Sequence, residues 1–164
     1  MKNTKMKPST NKNRKYLSYK EAFARINKAI EQGYFLEAIT IEESIICDRM
    51  VSYLHYQYDV SFSEKDISSN KTLMYNLVNL WRKKEPEAII FKSYKDLRSS
   101  MDEWRKQRNA LIHSMTKSFP GKPTTDVTDF LEAAQKAAVT GKKLARALCE
   151  IAKRKSEGKD KNAQ

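Results

Sequence analysis

Glycine, proline, cysteine and histidine are all scarce in this chain of 164 residues, and each scarcity excludes a class of protein. Four glycines and four prolines are too few for the many tight turns of a β-sandwich or β-barrel. Two distant cysteines, Cys47 and Cys149, and two histidines do not form a zinc-binding pattern. We therefore expect no bound metal and no cofactor, and both thiols to be reduced in a cytoplasmic protein.

Long hydrophobic runs are also missing from the chain. No apolar stretch approaches the length of a membrane span, and no hydrophobic segment follows the basic N-terminus. We therefore expect no signal peptide and no association with a membrane.

Positive charge, by contrast, is abundant and is concentrated at the two ends. The net charge is +12, and residues 1–16 carry six Lys or Arg without an acid, whereas residues 153–164 carry five against two acids. Such ends either hold nucleic acid loosely through its phosphates or serve as solvated, disordered termini. We predict a disordered basic arm over 1–16, a folded domain over 17–152 and a disordered basic tail over 153–164.

Apolar residues recur every three or four positions through the predicted domain, which is typical of amphipathic helices. The spacing of Ser18 and Glu21 predicts a helix that starts at Ser18, and Gly33 is expected to end it. The same periodicity predicts further helices over residues 34–58, over 70–84, over 91–116 and from residues 124–126 onward. We therefore expect an all-α, antiparallel up-and-down bundle of about five helices.

Two details of these helices are open to test. A short segment between the second and the next long helix has two candidate caps, Ser61 and Ser63, each followed three residues later by an acid. Gly141 lies inside the last predicted helix, where we expect it to weaken or bend the helix locally.

Arg108 interrupts the most regular apolar stripe of the sequence. On a helical wheel it lies between Trp104, about 40° to one side, and Met101, about 20° to the other. A guanidinium in that position must be paired or must face a cleft or an interface. Such departures from pattern cluster at functional sites, which makes Arg108 a candidate site residue.

A second candidate, His113, follows on the same predicted helix, four residues after Asn109. An imidazole takes or gives a proton near neutral pH, and the fork of an arginine suits a phosphate. These two groups are in principle sufficient for attack of a ribose 2′-hydroxyl on the adjacent RNA phosphate, without a metal. Arg105 and Lys106, one turn earlier, are placed to hold RNA phosphates.

The run Arg108-Asn109-Ala110-Leu111-Ile112-His113 resembles the R-x(4–6)-H motif of the HEPN family, in which a polar residue follows the arginine. HEPN domains are antiparallel helical bundles with this motif in a later helix, as predicted here. The stretch at residues 35–39, followed by Glu42 and Glu43, is also similar to the family. One of these two carboxylates is expected to pair with Arg108 or to orient the active-site face.

The resemblance implies a metal-independent endoribonuclease that acts as a homodimer in a toxin–antitoxin or antiviral defence system. It implies that His113 is the general acid or base, that Arg108 stabilises developing charge, and that Asn109 positions His113 or the scissile phosphate. The implied partners are tRNA or mRNA and a nucleotidyltransferase-like antitoxin protein. Arg108 and His113 point about 140° apart on an ideal helix. We therefore expect two motifs to meet across a two-fold axis, or the helix to be bent or π-bulged.

The alternative interpretation is a non-catalytic helical module that binds a nucleotide or a partner protein. In that case Arg108 forms a structural ion pair with Glu42 or Glu43, and His113 is incidental. Three aromatic residues are candidates for stacking on bases, but their helical spacing favours core packing; they are Trp81, Trp104 and Tyr94.

Overall fold

The computed structural model describes residues 11–68, 73–115, 120–121 and 123–161, of which 11–12 and 155–161 are described by their backbone only. The described chain contains helices and no strand, apart from one isolated bridge between Phe91 and Tyr94. The all-α prediction is therefore confirmed, with six helices in the described part where about five were expected. They are α1 (Asn11–Glu31), α2 (Phe35–Tyr58), α3 (Glu64–Ser68), α4 (Leu73–Lys84), α5 (Leu97–Ser114) and α6 (Val127–Lys161).

The core of the bundle is centred on α2. This helix packs most extensively on α6 and also contacts α1 and α4, while α5 packs on α6 and α4. Large side chains from these helices fill the space between them and are almost fully buried, among them Ile46, Met50, Trp81, Trp104 and Leu144. Burial of this apolar surface is the main force that holds the helices together. None of the described helices combines the length and the apolar composition that crossing a membrane requires.

Gly33 ends α1, as the sequence predicts. Its φ of +78° is left-handed, and its N–H donates to the carbonyl of Ile30 at 3.2 Å. The next N–H, of Tyr34, donates to the carbonyl of Ala29 at 2.8 Å. These two bonds form a Schellman motif, which reverses the chain directly into α2 (Phe35–Tyr58), close to the predicted 34–58.

Of the two candidate caps for α3, the structure uses Ser63. The Ser63 hydroxyl and N–H both donate to the Asp66 carboxylate, at 2.7 and 2.8 Å, and the Asp66 N–H donates to the hydroxyl at 3.2 Å. This reciprocal arrangement is a capping box with aspartate in the acidic position.

Both ends of the bundle contain more helix than the sequence predicts. α1 begins at Asn11 rather than Ser18, and α6 continues to Lys161. Parts of the predicted disordered arm and tail are therefore helical. The remaining parts, residues 1–10 and 162–164, lie outside the described residues. The extra turns of α1 are held by Asp48 on α2, which pairs with Lys15 at 3.0 Å and accepts a hydrogen bond from Tyr19. Ser18 does not cap α1, because its hydroxyl donates to the carbonyl of Arg14 inside the helix.

The helix that carries the Arg108 motif begins at Leu97 rather than at residue 91. Asp96 is its N-cap and accepts hydrogen bonds from the N–H groups of Arg98, at 3.3 Å, and Ile89, at 3.1 Å. Before it, Phe91 and Tyr94 exchange two backbone hydrogen bonds in a tight turn. These local turn and capping hydrogen bonds override the helical periodicity of residues 91–96.

Gly141 lies where three helices approach one another closely. α6 runs unbroken through this position. A Cβ atom here would lie 2.6 and 2.7 Å from atoms of the Trp104 indole and would also overlap the Glu42 carboxylate. The glycine is therefore needed for packing, because it lets α6 approach Glu42 of α2 and Trp104 of α5.

Candidate functional site

Arg108 lies at the edge of the bundle, where α5 faces α2. Its guanidinium forms an ion pair with Glu43 of α2, and the two side chains are 16% and 26% exposed. A second guanidinium nitrogen, Nη1, donates to the Asn109 side-chain oxygen at 2.5 Å. The third, Nε, is buried without a hydrogen-bond partner in the described part of the chain. Arg108 is thus held at the surface by two side chains and is neither in the core nor free in solvent.

Burial lowers the pKa of Arg108. The ordinary pKa of an arginine lies above about 12, so the guanidinium stays charged at neutral pH despite this shift. The Glu43 carboxylate supplies the opposing charge that a half-buried cation requires. The site therefore contains a permanent positive charge whose present partner is a carboxylate.

Glu42, the other candidate partner, does not pair with Arg108. It is fully buried, and neither carboxyl oxygen has a hydrogen-bond partner in the described part of the chain. Burial raises its pKa to about 8, and the positive charge of Lys142 only partly opposes this shift. Glu42 is thus mostly a neutral acid at pH 7.

His113 is exposed to solvent near the end of α5. It makes no hydrogen bond or ion pair with the described residues, and α5 is regular α-helix from Leu97 to Ser114 without a π-bulge. The imidazole therefore points about 140° away from Arg108 around the helix. The structure joins Arg108 to Asn109 and Glu43, but it does not bring His113 to the same place within one chain.

Arg105 and Lys106, the predicted phosphate-binding residues, share one carboxylate. Asp102 pairs with Arg105 at 2.9 Å and with Lys106 at 3.3 Å. Arg105 also lies over the ring of Tyr75, with its guanidinium carbon 5.1 Å from the ring centroid. Its side chain is only 18% exposed, whereas that of Lys106 is 66% exposed. Lys106 is therefore the more accessible of the two charges.

The two tryptophans that are candidates for base stacking lie in the core. Trp81 and Trp104 are buried, with relative exposures of 0% and 1%, so core packing is their role, as their spacing favours. Tyr94 is half-buried in the turn before α5. Tyr75 of α4 is an exposed aromatic residue that lies against Arg105, and sequence reasoning missed it because it follows no recognised motif.

A buried arginine was also missed. Arg98 is 2% exposed, and its guanidinium donates to the Asp96 carboxylate at 3.1 Å, to the carbonyl of Glu87 at 2.5 Å and to the carbonyl of Glu85. It fastens the connection between α4 and α5 to the start of α5. Its position at the edge of the apolar stripe, one turn before Met101, is the only signal in the sequence for this burial.

No set of three His, Cys, Asp or Glu side chains forms a metal-binding group among the described residues. Comparison of the chain with protein-family models, with curated proteins and with solved structures finds no match. The residues of the motif and their geometry are therefore the basis for assigning a function to the chain.

Proposed function

We propose that this protein is a metal-independent endoribonuclease of the HEPN type that acts as a homodimer. The observation that carries the proposal is the environment of Arg108. A charged guanidinium is held at the bundle surface by Glu43 and Asn109, on the same helix as the exposed imidazole of His113.

In the proposed reaction the ribose 2′-oxygen attacks the adjacent phosphorus, and the bond to the 5′-oxygen of the next nucleotide breaks. One His113 takes the proton of the 2′-hydroxyl, and a second imidazole gives a proton to the departing 5′-oxygen. Arg108 stabilises the negative charge that accumulates on the non-bridging oxygens. The products are a 2′,3′-cyclic phosphate and a free 5′-hydroxyl.

A dimer supplies what one chain lacks. Because α5 is regular, Arg108 and His113 of one chain face different directions. A two-fold axis along the edge of α5, between these two directions, would bring both residues and their symmetry copies to one composite cleft. Two imidazoles in this cleft can then act as base and acid.

Glu43 has a specific part in this proposal. It is partly exposed and neutralises Arg108 while no RNA is bound. An RNA phosphate, like a carboxylate, accepts hydrogen bonds from a guanidinium and can replace Glu43 there. Glu43 therefore competes with substrate, and Asn109 keeps the arginine oriented during the exchange.

The central test measures RNA cleavage by the purified protein in the presence of EDTA. We expect cleavage with cyclic-phosphate ends, abolished by His113→Ala with the helical circular-dichroism signal unchanged. His55→Ala is the matched control, because this second exposed histidine lies on α2, where it hydrogen-bonds to the carbonyl of Val60 and packs edge-on against the Tyr56 ring. Cleavage that needs a divalent metal, or that survives His113→Ala, would refute the mechanism.

We also propose that the enzyme acts in a toxin–antitoxin or antiviral defence system, with a nucleotidyltransferase-like antitoxin as partner. Expression in a bacterial host should then arrest growth, and His113→Ala should relieve the arrest. Equal growth with the wild type and the variant would argue against a toxin.

A second candidate function is a non-catalytic module that binds a nucleotide or a protein. The ion pair between Arg108 and Glu43 favours it, because such a pair also serves to tie α5 to α2. Under this alternative, Arg108→Ala lowers the free energy of unfolding, and neither the wild type nor the variant cleaves RNA.

A further inference from the structure

Tyr75 of α4 presents an exposed aromatic ring on the surface that α4 and α5 share. The residue is 47% exposed, although it is large and aromatic. The guanidinium carbon of Arg105, on α5, lies 5.1 Å from the ring centroid. One side of the ring is therefore covered by a cation, and much of the remaining surface is open.

The stacked arginine is held in place by a third residue. Nε and Nη2 of Arg105 both contact Oδ1 of Asp102, each at 2.9 Å. Desolvation raises the pKa of Asp102, whereas its bonds with Arg105 and Lys106 lower it, and the net result is a lowered pKa. The Asp102 carboxylate is therefore ionised at neutral pH. Tyr75, Arg105 and Asp102 thus form a preorganised stack, which we call the Tyr75 platform.

Arg105 of the Tyr75 platform lies about one turn before Arg108 on α5. On α5, Arg105 and Arg108 are about 60° apart around the axis and about 4.5 Å apart along it. Lys106, 66% exposed, adds a third cation next to the platform. The surface therefore combines an open aromatic ring with three cationic side chains from neighbouring turns of α5.

We propose that the Tyr75 platform binds an unpaired base of the RNA whose phosphate contacts Arg108. This inference rests on the proposed function and names the substrate class as single-stranded RNA. Bases stack on aromatic rings and on arginine planes in single-strand-binding proteins, with little dependence on base identity. The neighbouring cations favour a polyanion over an apolar peptide as the occupant.

The test measures RNA binding separately from cleavage. Fluorescence anisotropy is recorded with a short single-stranded oligoadenylate, and with versions of it that lack one base at successive positions, in a His113→Ala background that cannot cut. We expect Tyr75→Leu to weaken binding of the intact oligonucleotide about tenfold, as the loss of one stacked base predicts. Tyr75→Phe, which keeps the ring, should bind as the parent does.

Removal of the base that occupies the platform should weaken binding by the parent and leave Tyr75→Leu unaffected. Tyr34→Leu is the matched control, because Tyr34 is 57% exposed and lies at the turn between α1 and α2. The molar mass of every variant in solution is also measured by light scattering.

Four results would overturn the platform. The first is an RNA affinity of Tyr75→Leu equal to that of the parent. The second is a loss of affinity in Tyr75→Leu that is as large for the RNA lacking the stacked base as for intact RNA. The third is a changed solution mass for Tyr75→Leu, which would make Tyr75 part of a subunit contact. In these three cases cleavage by the wild type and its loss in His113→Ala still support the nuclease. The fourth result, no binding or cleavage of RNA by the wild type, rejects the nuclease and the platform together.

Discussion

Glu42 and Glu43 are neighbours in the sequence but have opposite environments in the fold. Glu43 pairs with Arg108 at the surface, whereas Glu42 is fully buried and neither of its oxygens has a hydrogen-bond partner in the described chain. Successive residues on a helix differ by about 100° in direction, and this rotation separates the two carboxylates. Glu43 is therefore part of the candidate site, whereas Glu42 is a buried and mostly neutral acid at pH 7.

The first prediction concerns the pH dependence of stability caused by Glu42. Its pKa is raised from 4.5 to about 8 in the folded protein, so the folded state retains a proton that the unfolded state releases. The free energy of unfolding should therefore fall as the pH rises from about 4.5 to about 8, and the total loss should be a few kcal/mol, at about 1.4 kcal/mol per pKa unit. Urea denaturation at several pH values measures this slope.

Glu42→Gln should remove most of this slope, because an amide does not ionise. Glu37→Gln is the control, since Glu37 is exposed on the same helix. Glu42→Met, of similar size, should raise stability at pH 8, because it removes two buried oxygens that lack partners. The same slope in Glu42→Gln and wild type would contradict the buried, protonated state.

The second prediction concerns the close approach at Gly141. Gly→Ala in an open helix gains up to about 1 kcal/mol of helix propensity. Here the added methyl group would overlap Glu42 and the Trp104 indole, so Gly141→Ala should instead lower the free energy of unfolding by about 2 kcal/mol. Val139→Ala, a change at an exposed position two residues earlier, should cost less than about 1 kcal/mol. A more stable Gly141→Ala protein would show that the three helices are less closely packed.

The third prediction separates the two roles of the ion pair between Arg108 and Glu43. If Glu43 competes with RNA phosphate, Glu43→Gln should tighten RNA binding by up to about fivefold, since a partly exposed pair contributes up to about 1 kcal/mol. Stability should fall by less than about 1 kcal/mol for the same reason. Anisotropy and denaturation measure the two effects.

Glu37→Gln again serves as the control for the change in net charge on α2. Unchanged RNA affinity together with a large loss of stability in Glu43→Gln would favour the purely structural ion pair and the non-catalytic alternative.

The fourth prediction concerns Arg98, which fastens the connection between α4 and α5. Arg98→Met removes a buried cation, so the Asp96 carboxylate loses its ion-pair partner and the backbone carbonyls of Glu85 and Glu87 lose the guanidinium as a donor. We expect a loss of roughly 3 kcal/mol of unfolding free energy, the usual cost of breaking a buried charged pair. Arg154→Met should cost little, because its ion pair with Glu150 is 64% and 35% exposed. Similar thermal stability of the two variants would contradict the anchoring role.

Local physical chemistry made much of the helical framework predictable from the sequence. The glycine at residue 33 ends α1 because only a residue free of Cβ strain adopts its positive φ readily, and apolar periodicity locates α2 closely. The same periodicity located Arg108 as a polar residue in an apolar stripe, and its pairing followed from the cost of burying a charge alone.

Specific side-chain contacts, both local and long-range, decided what periodicity could not. Asp96 caps α5 later than expected because it also binds Ile89 and Arg98, and Asp48 extends α1 by binding Lys15 and Tyr19. A helical pattern gives the direction of a side chain but not the neighbour that meets it there. The sequence alone therefore determined the approximate positions of the long helices and that Arg108 needs a partner. Only the packing of α2 and α5 on α6 decided that Glu43 is this partner and that Glu42 is buried beside Gly141.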